Sequence, residues 1–155
     1  MKRFRFTLQS LLGVKVALEK QRMAELAAVN QRLYALEAEL LSMQERYSLH
    51  RSRFAAAGEE ILSPTDLNIY AVGFEALREQ METQRTRILE CEREKEKIQA
   101  LVVEVMQERK MLEKLKEKQY SAYLDDVRRD DALQVGEFVA STLAMGDTGG
   151  DGNGR

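Results

Sequence analysis

The sequence is poor in the residues that fill a wide globular core. It contains no Trp and a single Pro, and aromatic residues make up only 6% of it, whereas 32% of its 155 residues are charged. This composition suits an ordinary compact domain of the same length badly. The abundance of Glu, Lys, Arg, Leu, Gln and Ala instead favours long helices, because these side chains lose little rotamer freedom in a helix.

Residues that carry enzyme and metal chemistry are also scarce. There is one His and one Cys, no glycine-rich phosphate-binding loop, and no His, Asp and Glu cluster at the spacing of metal ligands. His50 and Cys91 fall at positions where apolar residues recur, so a partly buried histidine and a small apolar thiol are the simplest interpretations. We predict that the chain is not an enzyme and has no cofactor and no bound metal.

The cysteine content and the absence of long apolar runs indicate the cellular location of the protein. Cys91 cannot form an internal disulfide, which is typical of a reducing cytoplasm. The stretch MKRFRFTLQSLLGVKVAL places basic residues before apolar ones, as a secretion signal does, but Gln9 and Lys15 interrupt it and no small-residue cleavage site follows. No run of about 18 apolar residues occurs, so no membrane-spanning helix is predicted.

Apolar residues recur with a three-four spacing along most of the chain. A seam of this kind stays on one side of a helix only if the helix supercoils about another, which predicts a coiled coil. Towards the N-terminus the same spacing continues in a shifted register, as at a coiled-coil stutter. The seam positions are Phe4, Leu8, Leu11, Lys15 and Leu18; Leu26, Val29, Leu33, Leu36, Leu40, Met43, Tyr47, His50 and Phe54; and Leu67, Tyr70, Phe74, Leu77, Met81, Gln84, Ile88, Cys91, Lys95, Ile98, Val102, Val105, Arg109 and Leu112.

The stretch AAAGEEILSPTDL between the two long runs predicts a reversal of the chain. Gly58 can close a helix, Pro64 is tolerated in the first turn of the next one, and Ser63 is a good N-cap. Two long helices joined by so short a connection pack antiparallel. With a reversal near residue 61, the helix around Leu112 lies beside the start of the chain.

The predicted fold is therefore all-α: a long antiparallel two-helix coiled-coil hairpin over residues 1–143. Helix 1 is expected at about 5–57, the turn at 58–64 and helix 2 at about 65–135. Half of the last ten residues are Gly, which is entropically costly to order, so residues 144–155 are predicted to be a disordered tail.

Basic residues concentrate in two stretches that this pairing brings together. Residues 1–22 contain six basic side chains against one acid, and residues 109–118 contain five against two. Lys110, Lys114 and Lys118 form a stripe of like charge, which is unfavourable by roughly 0.2–0.5 kcal/mol per pair. The open end of the hairpin is therefore predicted to be positive, either as an unoptimised solvated surface or as a docking surface for an acidic partner.

An acidic protein surface is the partner favoured for this end. Nucleic acid fits poorly, because the net charge is −2 and four aspartates closely follow the basic stretch. The basic N-terminus could also lie on anionic lipid through an apolar face. The four aspartates are Asp125, Asp126, Asp130 and Asp131, and the apolar face would comprise Phe4, Phe6, Leu8, Leu11 and Leu12.

Three segments together have a familiar pattern: FRFTLQSLL (4–12), LNIYAVGFEALREQM (67–81) and ERKMLEKLKEK (108–118). In order and spacing they resemble FliJ, a component of the bacterial flagellar type III export apparatus, over about residues 2–135. FliJ-like proteins form antiparallel two-helix coiled coils similar to the central stalk of rotary ATP synthases. The resemblance implies a non-enzymatic component of flagellar protein export, cytoplasmic and peripheral at the cytoplasmic face of the inner membrane.

The resemblance also implies partners and contact residues. The open end is expected to enter the hexameric ring of the export ATPase FliI and to promote its assembly and activity. Contacts with the export gate FlhA and with substrate chaperones are expected too, and FliH is a further candidate. The residues expected to face the ring are Arg3, Arg5, Lys110, Lys114, Lys116 and Lys118. Tyr70, Phe74 and Leu77 are candidates for the gate contact, although all three are seam positions.

Other interpretations stay open at this point. The chain could be the corresponding stalk of a virulence-type secretion system, a purely structural coiled coil that self-associates, or a membrane-surface protein whose binding to anionic vesicles weakens with salt. Two features depart from the family pattern. One is the Gly-rich tail, and the other is Gly73, which would weaken helix 2 locally.

Overall fold

The computed structural model describes residues 2–147, most of which lie in two helices. Helix α1 spans Gln9–Ala57 (49 residues) and helix α2 spans Pro64–Asp147 (84 residues). Within the described part of the chain there is no strand. Contacts between the helices pair later residues of α1 with earlier residues of α2, so the predicted all-α antiparallel hairpin is confirmed.

The reversal between the helices follows the turn chemistry predicted from the sequence. Helix α1 ends before Gly58, whose N–H donates to the carbonyl oxygen of Phe54 (2.9 Å). Helix α2 begins at Pro64, immediately after Ser63. The backbone N–H of Asp66 donates to Ser63 Oγ (3.2 Å), while the Ser63 N–H donates back to the Asp66 carboxylate (3.4 Å). This reciprocal pair is a capping box that satisfies two otherwise unpaired donors.

The outer ends of the helices differ from the expected bounds. Helix α1 begins at Gln9, four residues later than expected. The alternation of Phe4 and Phe6 is an extended pattern, not a helical one. Helix α2 continues through residues 136–147, beyond its expected end near residue 135. The three-four spacing of apolar residues indicates packing against another helix. Where that spacing is lost, the packing ends, but the helix itself can continue in solvent.

Every residue at the end of α2, from Arg128 to Asp147, is exposed. The first four residues of the predicted disordered tail, 144–147, belong to this helix. The rest of that tail lies outside the described residues.

Contacts within the chain define two compact units. Among the described residues, 2–16 and 107–147 form the first, and Ala17–Met106 form the second. In the second unit Val29, Leu33 and Cys91 are buried together, with Leu36 and other seam residues against them. Of the predicted seam positions in this unit, only Leu67 is exposed, which confirms the seam between the two helices.

In the first unit the predicted N-terminal seam is wrong at Leu8 and Leu11. Phe6 and Leu12 are the buried residues, each 7% exposed, whereas Leu8 and Leu11 are 37% and 42% exposed. The three-four spacing holds only within a helix, and α1 starts at Gln9, after Phe4 and Leu8. Because Phe6 and Leu12 pack inward, they are also removed from the apolar face considered for a lipid surface.

Neither helix contains a segment long and apolar enough to cross a membrane, as judged over residues 2–147.

Candidate functional site at the basic end

Helix α2 carries four of the six residues predicted to face a partner. Lys110, Lys114 and Lys118 are exposed and lie one turn apart, whereas Lys116 is partly buried. Within residues 2–147 none of the three exposed lysines forms an ion pair. The stripe of like charge therefore has no compensating contact in this part of the protein. Together with Arg3 and Arg5 these lysines are called the basic patch.

Two of the three acidic residues in the stretch that contains the lysines are paired with other basic residues. Glu113 accepts two hydrogen bonds from Arg109, at 2.8 and 2.9 Å. Glu108 forms an ion pair with Lys15 across the two helices. Because two of the three glutamates in this stretch pair with bases outside the basic patch, the patch keeps its positive charge. The stretch is ERKMLEKLKEK, residues 108–118.

Residues 2–8 form a non-helical segment, called the N-terminal strap, that precedes α1. The ring of Phe4 meets Tyr120 edge-on, with 5.1 Å between centroids, and lies 5.6 Å from Tyr123. The Tyr123 hydroxyl donates to the backbone carbonyl oxygen of Lys2 (2.9 Å). These three rings, called the aromatic clasp, fasten the start of the chain to α2.

The strap brings arginine and lysine from distant parts of the chain together. Arg5 and Lys116 line the same shallow cleft of about 370 Å³, with Phe4, Phe6 and Gln9. A second open cleft of about 460 Å³ lies between Phe4, Leu12 and Tyr120, with Lys116 and two glutamates at its edge. The strap thus brings Arg5 beside Lys116, whereas Lys110, Lys114 and Lys118 lie on another face of α2, because residues two apart in a helix do not share a face.

Tyr120 and Tyr123 were not among the residues singled out from the sequence. Their positions follow the last predicted seam residue, so the three-four spacing gave no reason to pair them with Phe4. The Phe-x-Phe alternation at positions 4 and 6 was the available signal, because alternation places both rings on one side of an extended segment.

The three residues proposed for the gate contact lie in the second unit and are partly buried in the seam. The Phe74 ring packs against His50 (4.5 Å between centroids) and Tyr47 (5.4 Å). Tyr70 packs against Phe54, and its backbone carbonyl oxygen accepts a hydrogen bond from His50 Nε2 (3.0 Å). Packing is therefore the role that the geometry gives Tyr70 and Phe74, and only part of each side chain faces solvent.

Metal-binding and catalytic geometry is not apparent in the part of the chain described. Within it there is no group of three or more His, Cys, Asp or Glu residues that could hold a metal ion. Cys91 is buried, and its thiol donates to the Val29 carbonyl oxygen (3.8 Å). The arrangement at the basic end suits binding of an acidic surface.

Comparison with models of known protein families identifies the family of this chain. The family model described as "Flagellar FliJ protein" matches residues 4–145, nearly the whole chain. The chain belongs to the FliJ family. No curated protein and no solved structure matches it significantly. As a FliJ family member it is a component of the flagellar protein export apparatus, and the family consists of structural export components, with no known enzyme among them.

Proposed function

We propose that this FliJ family member acts as a coiled-coil stalk whose basic patch docks inside the ring of the export ATPase FliI and promotes ring assembly and ATP hydrolysis. The observation that carries this proposal is the exposed stripe Lys110, Lys114 and Lys118, none of which forms an ion pair within residues 2–147. Exposed ion pairs contribute only about 0–1 kcal/mol each, so they attract an acidic surface without fixing one geometry. Contacts of this strength suit a stalk that must shift within a ring.

Mixing the protein with the export ATPase of the same organism tests this proposal. The wild type should stimulate ATP hydrolysis and ring formation, and the variant K110E/K114E/K118E should lose most of the effect. A matched control, R46E/R51E/R53E, changes three exposed arginines of the second unit by the same total charge. It should stimulate as the wild type does.

The possible results separate the parts of the proposal. A wild-type protein that neither binds nor stimulates the ATPase contradicts the stalk function as a whole. If both triple variants lose stimulation equally, net charge matters but the basic patch is not the docking surface. Circular dichroism of each variant verifies that the helices persist.

A second contact is proposed with the export gate FlhA, through the exposed parts of Tyr70, Phe74 and Leu77. Since the Phe74 ring also packs in the seam, Phe74→Ala would confuse loss of binding with loss of stability. Phe74→Leu keeps an apolar side chain of similar volume in the seam and removes the ring. Weaker binding to purified FlhA with near-normal thermal stability would support a direct contact, and unchanged binding would contradict it.

The remaining partners follow from the same proposal. Substrate chaperones and FliH would meet the stalk while it is engaged with the ATPase and the gate. The protein would then work in the cytoplasm, held at the inner membrane only through the export apparatus. Fractionation of cells with and without the export gate tests this: the membrane-associated share should fall when the gate is removed.

A further inference from the structure

We propose that the aromatic clasp is a positioning device: Phe4, Tyr120 and Tyr123 hold the strap on α2 so that Arg3 and Arg5 act with Lys116 of α2 as one docking surface. This inference rests on the proposed docking of the basic patch and deepens it. The clasp residues would act through the arginines, without touching the ATPase themselves.

The strap depends on side-chain contacts for its position. Residues 2–6 have no regular secondary structure. Backbone hydrogen bonds tie the strap to α1 from Gln9 N–H to the Phe6 carbonyl oxygen (3.1 Å) and from Leu12 N–H to the Leu8 carbonyl oxygen (2.9 Å). Both lie at the helical end of the strap. A segment without a hydrogen-bond ladder loses conformational entropy with every residue that is fixed, so ordered contacts must offset that loss.

The contacts alternate with the arginines along the strap. The backbone carbonyl oxygen of Lys2 and the ring of Phe4 are both held by Tyr123, on either side of Arg3. Phe4 and the buried Phe6 lie on either side of Arg5. In an extended segment successive side chains point to opposite sides. With Phe4 packed on α2 and Phe6 buried, Arg3 and Arg5 are left on the exposed side of the strap.

This arrangement joins charges that are far apart in the sequence. Tyr123 and Lys2 are 121 residues apart, yet their contact leaves Arg5 at the same cleft as Lys116. A surface whose charges are already placed loses less entropy on binding than one whose charged segment must first be ordered. The clasp should therefore increase affinity for an acidic surface only through the strap arginines.

A double-mutant cycle tests this dependence. Binding of the full chain to the export ATPase is measured for the wild type, Phe4→Ala, the variant R3A/R5A, and all three substitutions together. Phe4→Ala alone should weaken binding by about three- to tenfold, as should R3A/R5A, given the modest strength of exposed charge contacts. In the R3A/R5A background, Phe4→Ala should have no further effect, because the residues that it positions are already absent.

Milder variants keep the inference testable if Phe4→Ala perturbs the fold. Tyr123→Phe removes only the hydroxyl that donates to the Lys2 carbonyl oxygen, and it should weaken binding by about twofold. Tyr34→Phe removes the hydroxyl of an exposed tyrosine in the second unit, and binding should not change. Equal behaviour of these two variants would overturn the proposal, as would additive effects in the cycle.

A distance measurement separates failure of the clasp from failure of docking. Spin labels at Thr7→Cys and Ser121→Cys, both exposed positions of the first unit, are introduced together with Cys91→Ala. The wild-type background should give one narrow distance distribution, which broadens when Phe4→Ala is added. An unchanged distance distribution overturns the positioning role of the clasp, even if the protein binds the ATPase. A wild-type protein that does not bind the ATPase contradicts the proposed function, and the distance measurement then tests the clasp on its own.

Discussion

A Cβ atom added to Gly73 would lie 2.7 Å from two atoms of the His50 imidazole. The ring is held there by its hydrogen bond to the Tyr70 carbonyl oxygen (3.0 Å) and by edge contact with Phe74. Gly73 therefore has a packing role that offsets its poor helix propensity. It gives the imidazole room to lie directly against the backbone of α2.

The first prediction follows from this contact. Gly73→Ala should lower the free energy of unfolding by up to about 2 kcal/mol, because overpacking costs about 1–3 kcal/mol and the gain in helix propensity is only about 1 kcal/mol. Gly13→Ala is the matched control, since nothing lies within 4 Å of an added Cβ there. It should raise the free energy of unfolding by about 0.5–1 kcal/mol. Urea unfolding followed by circular dichroism measures both, and equal stabilisation by the two changes would contradict the contact.

Gln84 is the basis of a second prediction. It is 1% exposed, and its Nε2 donates to the Leu36 carbonyl oxygen (2.9 Å) and to Glu39 (3.0 Å). Its Oε1 has no hydrogen-bond partner within the described chain. Leaving such an atom buried costs about 1–3 kcal/mol, so Gln84→Leu should keep or raise the stability by about 1 kcal/mol.

A buried polar residue in a seam can specify the register between helices. Gln84→Leu should therefore broaden the distances between spin labels on the two helices of the second unit, although the helices become no less stable. A loss of more than about 1 kcal/mol on this substitution would show that the two hydrogen bonds outweigh the unpaired oxygen.

The cross-helix ion pair of Arg32 with Glu94 gives a third prediction. The pKa of Arg32 is raised by hydrogen bonding to Cys91 and by the charge of Glu94, so the arginine stays charged. Arg32→Glu should destabilise the protein slightly, because exposed ion pairs are weak, and the exchange R32E/E94R should recover most of that loss.

Both side chains of this pair are about half exposed, at 52% and 50%. The difference between the single and exchanged variants should therefore shrink in 1 M salt, where the screening length is about 3 Å. Arg85→Glu changes an exposed arginine with no ion pair within residues 2–147 and serves as the control. If the exchanged variant is no better than Arg32→Glu, the two residues do not face each other in solution.

Much of the hairpin was predictable because its signals are local or periodic. The seam in the second unit needed only the three-four spacing, and the turn needed only Ser63, Pro64 and Gly58. Even polar seam positions such as Gln84 and Lys95 were placed correctly, because neighbouring apolar positions fix the face on which they lie.

The parts that sequence reasoning missed depend on contacts between distant residues. The reversal near residue 61 places His50 opposite residues near 72, but no local signal shows that the imidazole needs the space left by the missing Cβ of Gly73. The clasp joins Phe4 to Tyr120 and Tyr123, beyond the last seam position. At the basic end the six charged residues were identified by charge and by resemblance, whereas the partly buried state of Lys116 could only come from its packing beside the strap.

Site-specific crosslinking is the sharpest test of whether the basic patch meets the export ATPase. A photoreactive phenylalanine derivative is placed at Lys114 in one variant and at Arg51 in another, both exposed positions, and each is irradiated with the assembled ATPase ring. Docking through the basic patch requires that position 114 crosslinks to the ATPase and that position 51 does not. Crosslinking from position 51 alone, or from neither position under conditions where the wild type stimulates hydrolysis, would contradict it.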